Sequence, residues 1–298
     1  MLAGIEAGGT KFVCAVAKNP QKILDEIRIP TTCPTETIAK AIAFFLEMQK
    51  IHEPISSLGI GSFGPIDPDP DSSRYGRITS TPKPNWANTD IVKALTQAIP
   101  VPVGFDTDVN GAALGEYLWG AGKGANVVLY LTVGTGVGGG VVIHGKPVHG
   151  MIHPEMGHIF VKREYSDIVF KGSCPFHGDC LEGLVSGPAI EARMGKPVQE
   201  IDSNDPCWDY TARYLAQALC NYMYMFSPNK IILGGGVLSQ PTLMPKIHSL
   251  IPQMLNGYVE SEQLKTMDAY IVEPGLGTHA GVIGALALGM KAAGKLNI

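Results

Sequence analysis

The sequence predicts an α/β protein of two lobes laid out on a duplicated plan. Three observations carry this. A strand–turn–strand pattern over residues 1–16 returns over 127–143. Apolar strands alternate with amphipathic helical segments along the chain. A length of 298 residues, 45% of them hydrophobic, suits two compact cores better than one.

Residues 2–5 and 12–16 are apolar runs around the turn at Gly8-Gly9, and 23–29 offers a third strand. Residues 35–50 predict a helix, because Ile38, Ala41, Ile42, Phe45 and Leu46 fall at i, i+3, i+4, i+7 and i+8, with Thr35 after Pro34 as its expected N-cap. A short strand at 57–61 runs into Gly-Ser-Phe-Gly-Pro. Residues 67–88, rich in Pro, Asp, Ser and Asn, read as a long loop. A helix near 89–98 leads to a strand at 101–105, and the next helix starts around Asn110. Strands at 127–133 and 140–143 flank a Gly-rich turn. A Cys/His segment fills 153–182, Ser186-Gly187-Pro188 has the look of a helix start, and 207–226 predicts a long helix. A buried strand at 231–233 feeds three glycines, and the last helix runs from about 280 to 293.

The net charge is −4 with no basic block, which argues against a nucleic-acid surface. No apolar run reaches the roughly 20 residues that span a bilayer, and residues 1–18 lack a secretory pattern. Six cysteines in such a chain suggest a reducing cytoplasm. Cys14, Cys33, Cys207 and Cys220 read as packing residues.

Three turns share one design, an apolar strand followed by glycine-rich backbone. They contain Gly8, Gly9, Thr10 and Lys11; Gly134, Thr135, Gly136, Gly138 and Gly139; and Gly234, Gly235 and Gly236. Such backbone lets N–H groups converge on an anion, and Thr10, Lys11 and Thr135 add donors. Each turn alone reads as a hairpin, but three together point to nucleotide phosphates. Gly134-x-Gly136-x-x-Gly139 is not a dinucleotide fingerprint, because it leads into a strand rather than a helix. The Gly8 turn lacks the Gly-Lys-Ser/Thr of a Walker A loop.

Six motifs occur in order: Gly4-x-Glu6-x-Gly8-Gly9-Thr10-Lys11; Thr107-Asp108-Val109-Asn110-x-Ala112-Ala113-Leu114-Gly115-Glu116; Gly134-Thr135-Gly136-x-Gly138; Glu155-Met156-Gly157-His158; Cys180-x-Glu182-Gly183; and Leu233-Gly234-Gly235-Gly236. In these the chain resembles the ROK family of sugar kinases and sugar-responsive repressors, nearest to its bacterial fructokinases. The resemblance implies the actin/hexokinase-like (ribonuclease H-like) fold, two duplicated lobes with a cleft between them. The expected lobes are 1–118 and 119–279. Residues 280–298 are expected to pack back on the first, and a zinc-binding insertion spans about 153–182.

The resemblance further implies that Gly8, Gly9, Thr10, Lys11, Gly134 and Gly136 hold ATP phosphates and that Thr135 contacts the nucleotide. Gly234, Gly235, Gly236 and Pro188 are expected near the adenosine. Thr107, Asp108, Glu155, His158 and Glu182 are expected to face the sugar, although many relatives carry Asn where Thr107 stands. Asp108 is the expected base for the sugar hydroxyl, since phosphoryl transfer needs a fixed carboxylate to take that proton. Its bland alternative is a helix cap, and Asp106 is a rival for the base. Mg²⁺ is expected with ATP, without named protein ligands.

His158, Cys174, His177 and Cys180 form a second constellation. Two thiolates and two imidazoles suit tetrahedral Zn²⁺ with no open position, hence a structural ion. Relatives carry Cys-x-Cys-Gly-x-x-Gly-Cys here, so His177 reads as replacing a cysteine. His153 is a competing ligand. His144, His149, His248 and His279 show no partner pattern.

The expected activity is phosphorylation of a hexose, D-fructose to its 6-phosphate first. Glucokinase, mannokinase or N-acetylhexosamine kinase activity is the alternative, and a homodimer is the implied assembly. A repressor of the family would carry a DNA-binding module ahead of the first strand, and that strand already begins at Leu2. A zinc hydrolase would need an open metal position.

Overall fold

The computed structural model describes residues 1–296. The first sheet is built from β1 (Leu2–Ala7), β2 (Lys11–Asn19), β3 (Lys22–Pro30), β4 (Ser57–Ser62) and β5 (Val103–Thr107), in the order β3-β2-β1-β4-β5. β1 pairs antiparallel with β2 and parallel with β4, and β4 pairs parallel with β5. α1 (Pro34–Ile51) links β3 to β4, α2 (Ile91–Thr96) precedes β5, and α3 (Asp108–Trp119) follows it. α1 begins at Pro34 rather than after a Thr35 cap. Cys33 holds the cap position without a side-chain bond. Proline fits the first turn because its missing N–H is one the helix leaves unpaired there anyway.

The second sheet contains β6 (Val127–Val133), β7 (Val137–Ile143), β8 (Lys146–Pro147), β9 (Lys230–Gly234) and β10 (Ile271–Val272), in the order β10-β9-β6-β7-β8. Read from its other edge, this is the strand order and connection scheme of the first sheet. The repeated plan read from the turns is therefore real. α4 (Leu181–Val185), α5 (Gly187–Met194) and α6 (Cys207–Phe226) lie between β8 and β9. α7 (Leu243–Leu255) and the short α8 (Met267–Tyr270) lie between β9 and β10, and α9 (Ala280–Ala292) comes last. Residues 297–298, at the end of the expected C-terminal segment, lie outside the described residues.

Two compact units result. One comprises residues 1–124, 140–154 and 274–298; the other comprises 125–139 and 155–273. Residues 140–154, which chain order alone assigns to the C-terminal lobe, group with the first unit. There His149 binds Asp106 and Asn110, and His153 accepts the Ile66 N–H at 3.1 Å.

In the first unit, Phe12, Phe45, Leu58, Ile60 and Trp86 are fully buried. Trp86 packs 5.4 Å from both Phe12 and Phe63, and its indole N–H donates to the Thr32 carbonyl. A proline-rich loop is thus pinned by one aromatic anchor. α9 lies on the sheet over β1, β4 and β5 and beside α3. Glycine makes this approach possible. A Cβ on Gly59 would lie 1.6 Å from the Ala285 carbonyl oxygen, and one on Gly104 2.1 Å from that of Leu288. Gly284 of α9 meets the Gly111 carbonyl oxygen at 1.8 Å by the same measure. In the second unit, α6 buries Trp208, Tyr214, Leu215, Leu219 and Tyr222, and α7 buries Ile247 and Ile251.

Candidate active site and metal centre

The first glycine turn is the tight β1–β2 hairpin. The Gly8 N–H donates to the Lys11 carbonyl at 3.0 Å, and the Thr31 hydroxyl donates to the Gly8 carbonyl at 2.7 Å. Thr10 and Lys11 stay exposed, and no atom lies within 4 Å of where a Gly9 Cβ would be. The turn is held from below and open above, as an anion-binding turn must be. Glu6 lies next to the last residue of β1, beside this turn, and the sequence motifs assign it no role. Its carboxylate packs against Gly281 in the first turn of α9. Burial and the charge of Asp108 push its pKa up to about 7, with Lys11 opposing.

Asp108 is the first residue of α3, directly after β5. The cap is not Asp108 but Thr107, whose hydroxyl accepts the Asn110 N–H at 3.1 Å. The Asp108 carboxylate accepts the neighbouring Val109 N–H at 2.9 Å. Desolvation outweighs its backbone hydrogen bonds and raises its pKa to about 6. The carboxylate is thus half-buried, fixed on a rigid junction and ionised at neutral pH.

Asp106 is different in kind. It is buried, and its carboxylate accepts from the Thr107 N–H, the Asn110 side-chain amide and His149. All this holds the β5–α3 junction together and leaves little for chemistry. Hydrogen bonding to Asp106 raises the His149 pKa, with desolvation opposing. A raised folded-state value means the pair stabilises fully below the unfolded His pKa. That stabilisation fades as pH climbs through the folded value. His149→Ala is therefore expected to destabilise by about 0.5 kcal/mol at pH 6, a small figure because the His149 side chain is 37% exposed, and by nearly nothing at pH 9. Thermal melts across that range check it, and a flat difference would contradict it.

In the second unit, the β6–β7 turn closes with the Gly134 N–H on the Gly136 carbonyl at 2.8 Å, leaving Thr135 exposed at its tip. The Gly187 N–H donates to the Gly134 carbonyl at 2.7 Å, which brings Pro188, in the first turn of α5, alongside. A Cβ on Gly134 would lie 3.9 Å from the Gly236 nitrogen. Gly235 has φ +99° and presses on the Val133 carbonyl, a position only glycine tolerates. Gly134, Thr135, Gly136, Pro188, Gly234, Gly235 and Gly236 therefore converge, although they span 103 residues of sequence. Glu182, in the first turn of α4, reaches the same turn and accepts the Val137 N–H at 2.9 Å.

His158, Cys174, His177 and Cys180 present one ligand atom each, all within 4.8 Å of one another. The His158 Nδ1 lies 3.5 Å from the Cys180 Sγ and 3.9 Å from the Cys174 Sγ, and the His177 Nδ1 lies 3.7 Å from the Cys174 Sγ. A zinc tetrahedron with thiolate and imidazole ligands has edges of about 3.3–3.8 Å; these three contacts lie in or just beyond that range, and two thiols with two imidazoles are a donor set that suits the ion. His153 is not in this group; it sits in the first unit against Ile66. The outer nitrogen of His158, Nε2, faces Glu155 at 4.0 Å. The ring thus has one edge toward the thiols and the other toward a carboxylate.

Arg163 and Arg193 brace this segment. Arg193 forms two bonds to the buried Asp167, and Arg163 reaches Asp179, next to Cys180. All six cysteines are free thiols, and no helix of the described residues is long and apolar enough to cross a membrane.

The sequence profile of the ROK family matches residues 2–292. A fructokinase of Zymomonas mobilis is 44% identical over 294 residues, covering 98% of this chain and 97% of that one. A fructokinase of Pediococcus pentosaceus is 43% identical, with 98% of each chain covered. Among solved structures, a ROK hexokinase of Thermus thermophilus aligns with a TM-score of 0.78 at 25% identity, over 99% of both chains.

Proposed function

The chain belongs to the ROK family, and from that premise we propose that it is an ATP-dependent hexose kinase whose acceptor is D-fructose, phosphorylated at the 6-hydroxyl. The observation that carries the reading is Asp108: a half-buried carboxylate on a strand–helix junction, relieved of capping by Thr107, with a pKa near 6. Such a group is ionised at neutral pH and can take the hydroxyl proton as the bond to phosphorus forms. The fructokinase names of relatives above 40% identity support fructose over other hexoses.

In this reading Gly8, Gly9, Thr10 and Lys11, together with Gly134, Thr135 and Gly136, hold the ATP phosphates. Pro188, Gly234, Gly235 and Gly236 take the adenosine. Thr107, Glu155, His158 and Glu182 bind sugar hydroxyls. Bound Mg²⁺ would neutralise phosphate charge. Zn²⁺ on His158, Cys174, His177 and Cys180 would be structural, fixing the ring whose Nε2 reads the sugar. The free thiols accord with a cytoplasmic enzyme. A homodimer rests on the family resemblance alone.

The test is ADP release against fructose, mannose, glucose and N-acetylhexosamines. Silence with every sugar would sink the kinase reading; a preference for another hexose would move only the acceptor. Metal analysis is expected to find one zinc per chain. Cys180→Ser is expected to lose it and to melt several degrees lower, since a structural ion stabilises the fold it closes. A zinc-free protein with an unchanged melting temperature would refute the structural ion.

A further inference from the structure

The β6–β7 turn is clasped by the segment that carries the proposed sugar ligands. A Cβ on Gly157 would lie 1.9 Å from the Val137 carbonyl oxygen, so the two backbones touch. Met156 covers Gly139, with its Sδ 2.6 Å from where a Cβ would be. The Gly187 N–H holds the Gly134 carbonyl. At the centre, the Glu182 Oε2 accepts the Val137 N–H at 2.9 Å and lies 2.8 Å from any Cβ that residue 136 could carry. Gly136 is therefore glycine in part because the Glu182 carboxylate occupies its flank. The Glu182–Val137 bond joins residues 45 apart in sequence.

We propose that Glu182 is a positioning residue for the nucleotide: its carboxylate fixes the Val137 N–H and with it the direction of the backbone at Thr135 and Gly136. This rests on the reading that the 134–136 turn holds ATP phosphates. A hydrogen bond to a charged acceptor that sets a turn is worth about a tenfold effect on a ligand the turn binds. Glu182 thereby acts on nucleotide affinity even when no sugar is bound. A residue that only contacts sugar would not.

The experiment is calorimetric titration of the intact, metal-loaded protein with AMPPNP and Mg²⁺ in the absence of any hexose. Glu182→Ala is expected to weaken AMPPNP about tenfold. Glu182→Asp, too short to reach Val137, is expected to do the same, so the test survives if the alanine variant does not fold. Glu182→Gln keeps an acceptor oxygen at the same reach and is expected to stay within about threefold of the parent. That rescue is one a general loss of stability would not produce. Thr135→Val serves as the control on the turn. If Thr135→Val weakens AMPPNP while the folded Ala or Asp variant binds within twofold of the parent, the positioning role is overturned. If Thr135→Val also has no effect, the phosphate reading of the turn fails, and the inference falls with it.

Discussion

Asp108→Asn is expected to lower kcat by about 10²–10⁴-fold, the range that a positioned general base contributes. The KM for sugar should change little, because the amide keeps the shape and most of the hydrogen-bonding reach of the carboxylate. A kcat within tenfold of the parent, about 1.4 kcal/mol, would show that Asp108 is not the base. The same substitution is expected to raise the melting temperature at pH 7. The folded-state pKa of about 6 lies above the ordinary aspartate value, so the native state holds this proton more tightly than the unfolded chain does. Stability linked to the group is present below pH 4 and is lost as pH rises through 6, and the neutral amide avoids that loss. Reduced turnover with increased stability is the signature of a carboxylate kept desolvated for chemistry. In the parent, kcat should fall as pH drops below about 6.

Gly59→Ala is expected to abolish the fold of the first unit, with a loss above about 4 kcal/mol. Its Cβ would lie 1.6 Å from the Ala285 carbonyl oxygen and 2.6 Å from the Gly289 nitrogen. Both are backbone atoms of α9, so no rotamer change relieves the clash, and the helix must lift off the sheet. Gly150→Ala is the comparison, since nothing lies within 4 Å of the new methyl; it is expected to change stability by less than about 0.5 kcal/mol. Soluble Gly59→Ala protein melting within a few degrees of the parent would contradict this packing.

Much of the site was legible because it is local. The glycine turns follow their strands directly, and Cys174, His177 and Cys180 lie within seven residues of one another. What escaped is long-range or depends on a few ångströms. The sequence could not tell Asp108 from a cap, because Thr107 and Asp108 are neighbours and both residue types cap helices. It could not show that Asp106 is consumed by Thr107, Asn110 and His149, since His149 comes from a distant loop. The contact of Glu182 with Val137 has no local signal at all. The glycine-rich turns read as backbone coming close to an anion. The structure adds a second object of that approach: Gly4, Gly59 and Gly104 inside strands admit a helix, not an anion.

The docking of α9 also orders events in time. Residues 280–292 cover a sheet whose strands lie within residues 2–107, and their backbone fills the spaces left at Gly59 and Gly104. During synthesis those strands emerge long before their cover, at about 5–20 residues per second. The second unit, residues 125–139 and 155–273, is encoded wholly between them and is complete by residue 273. The half of the molecule made first is therefore the half finished last. For roughly ten seconds or more its sheet presents an uncovered apolar face, the stage at which chaperone capture or aggregation would act on this chain.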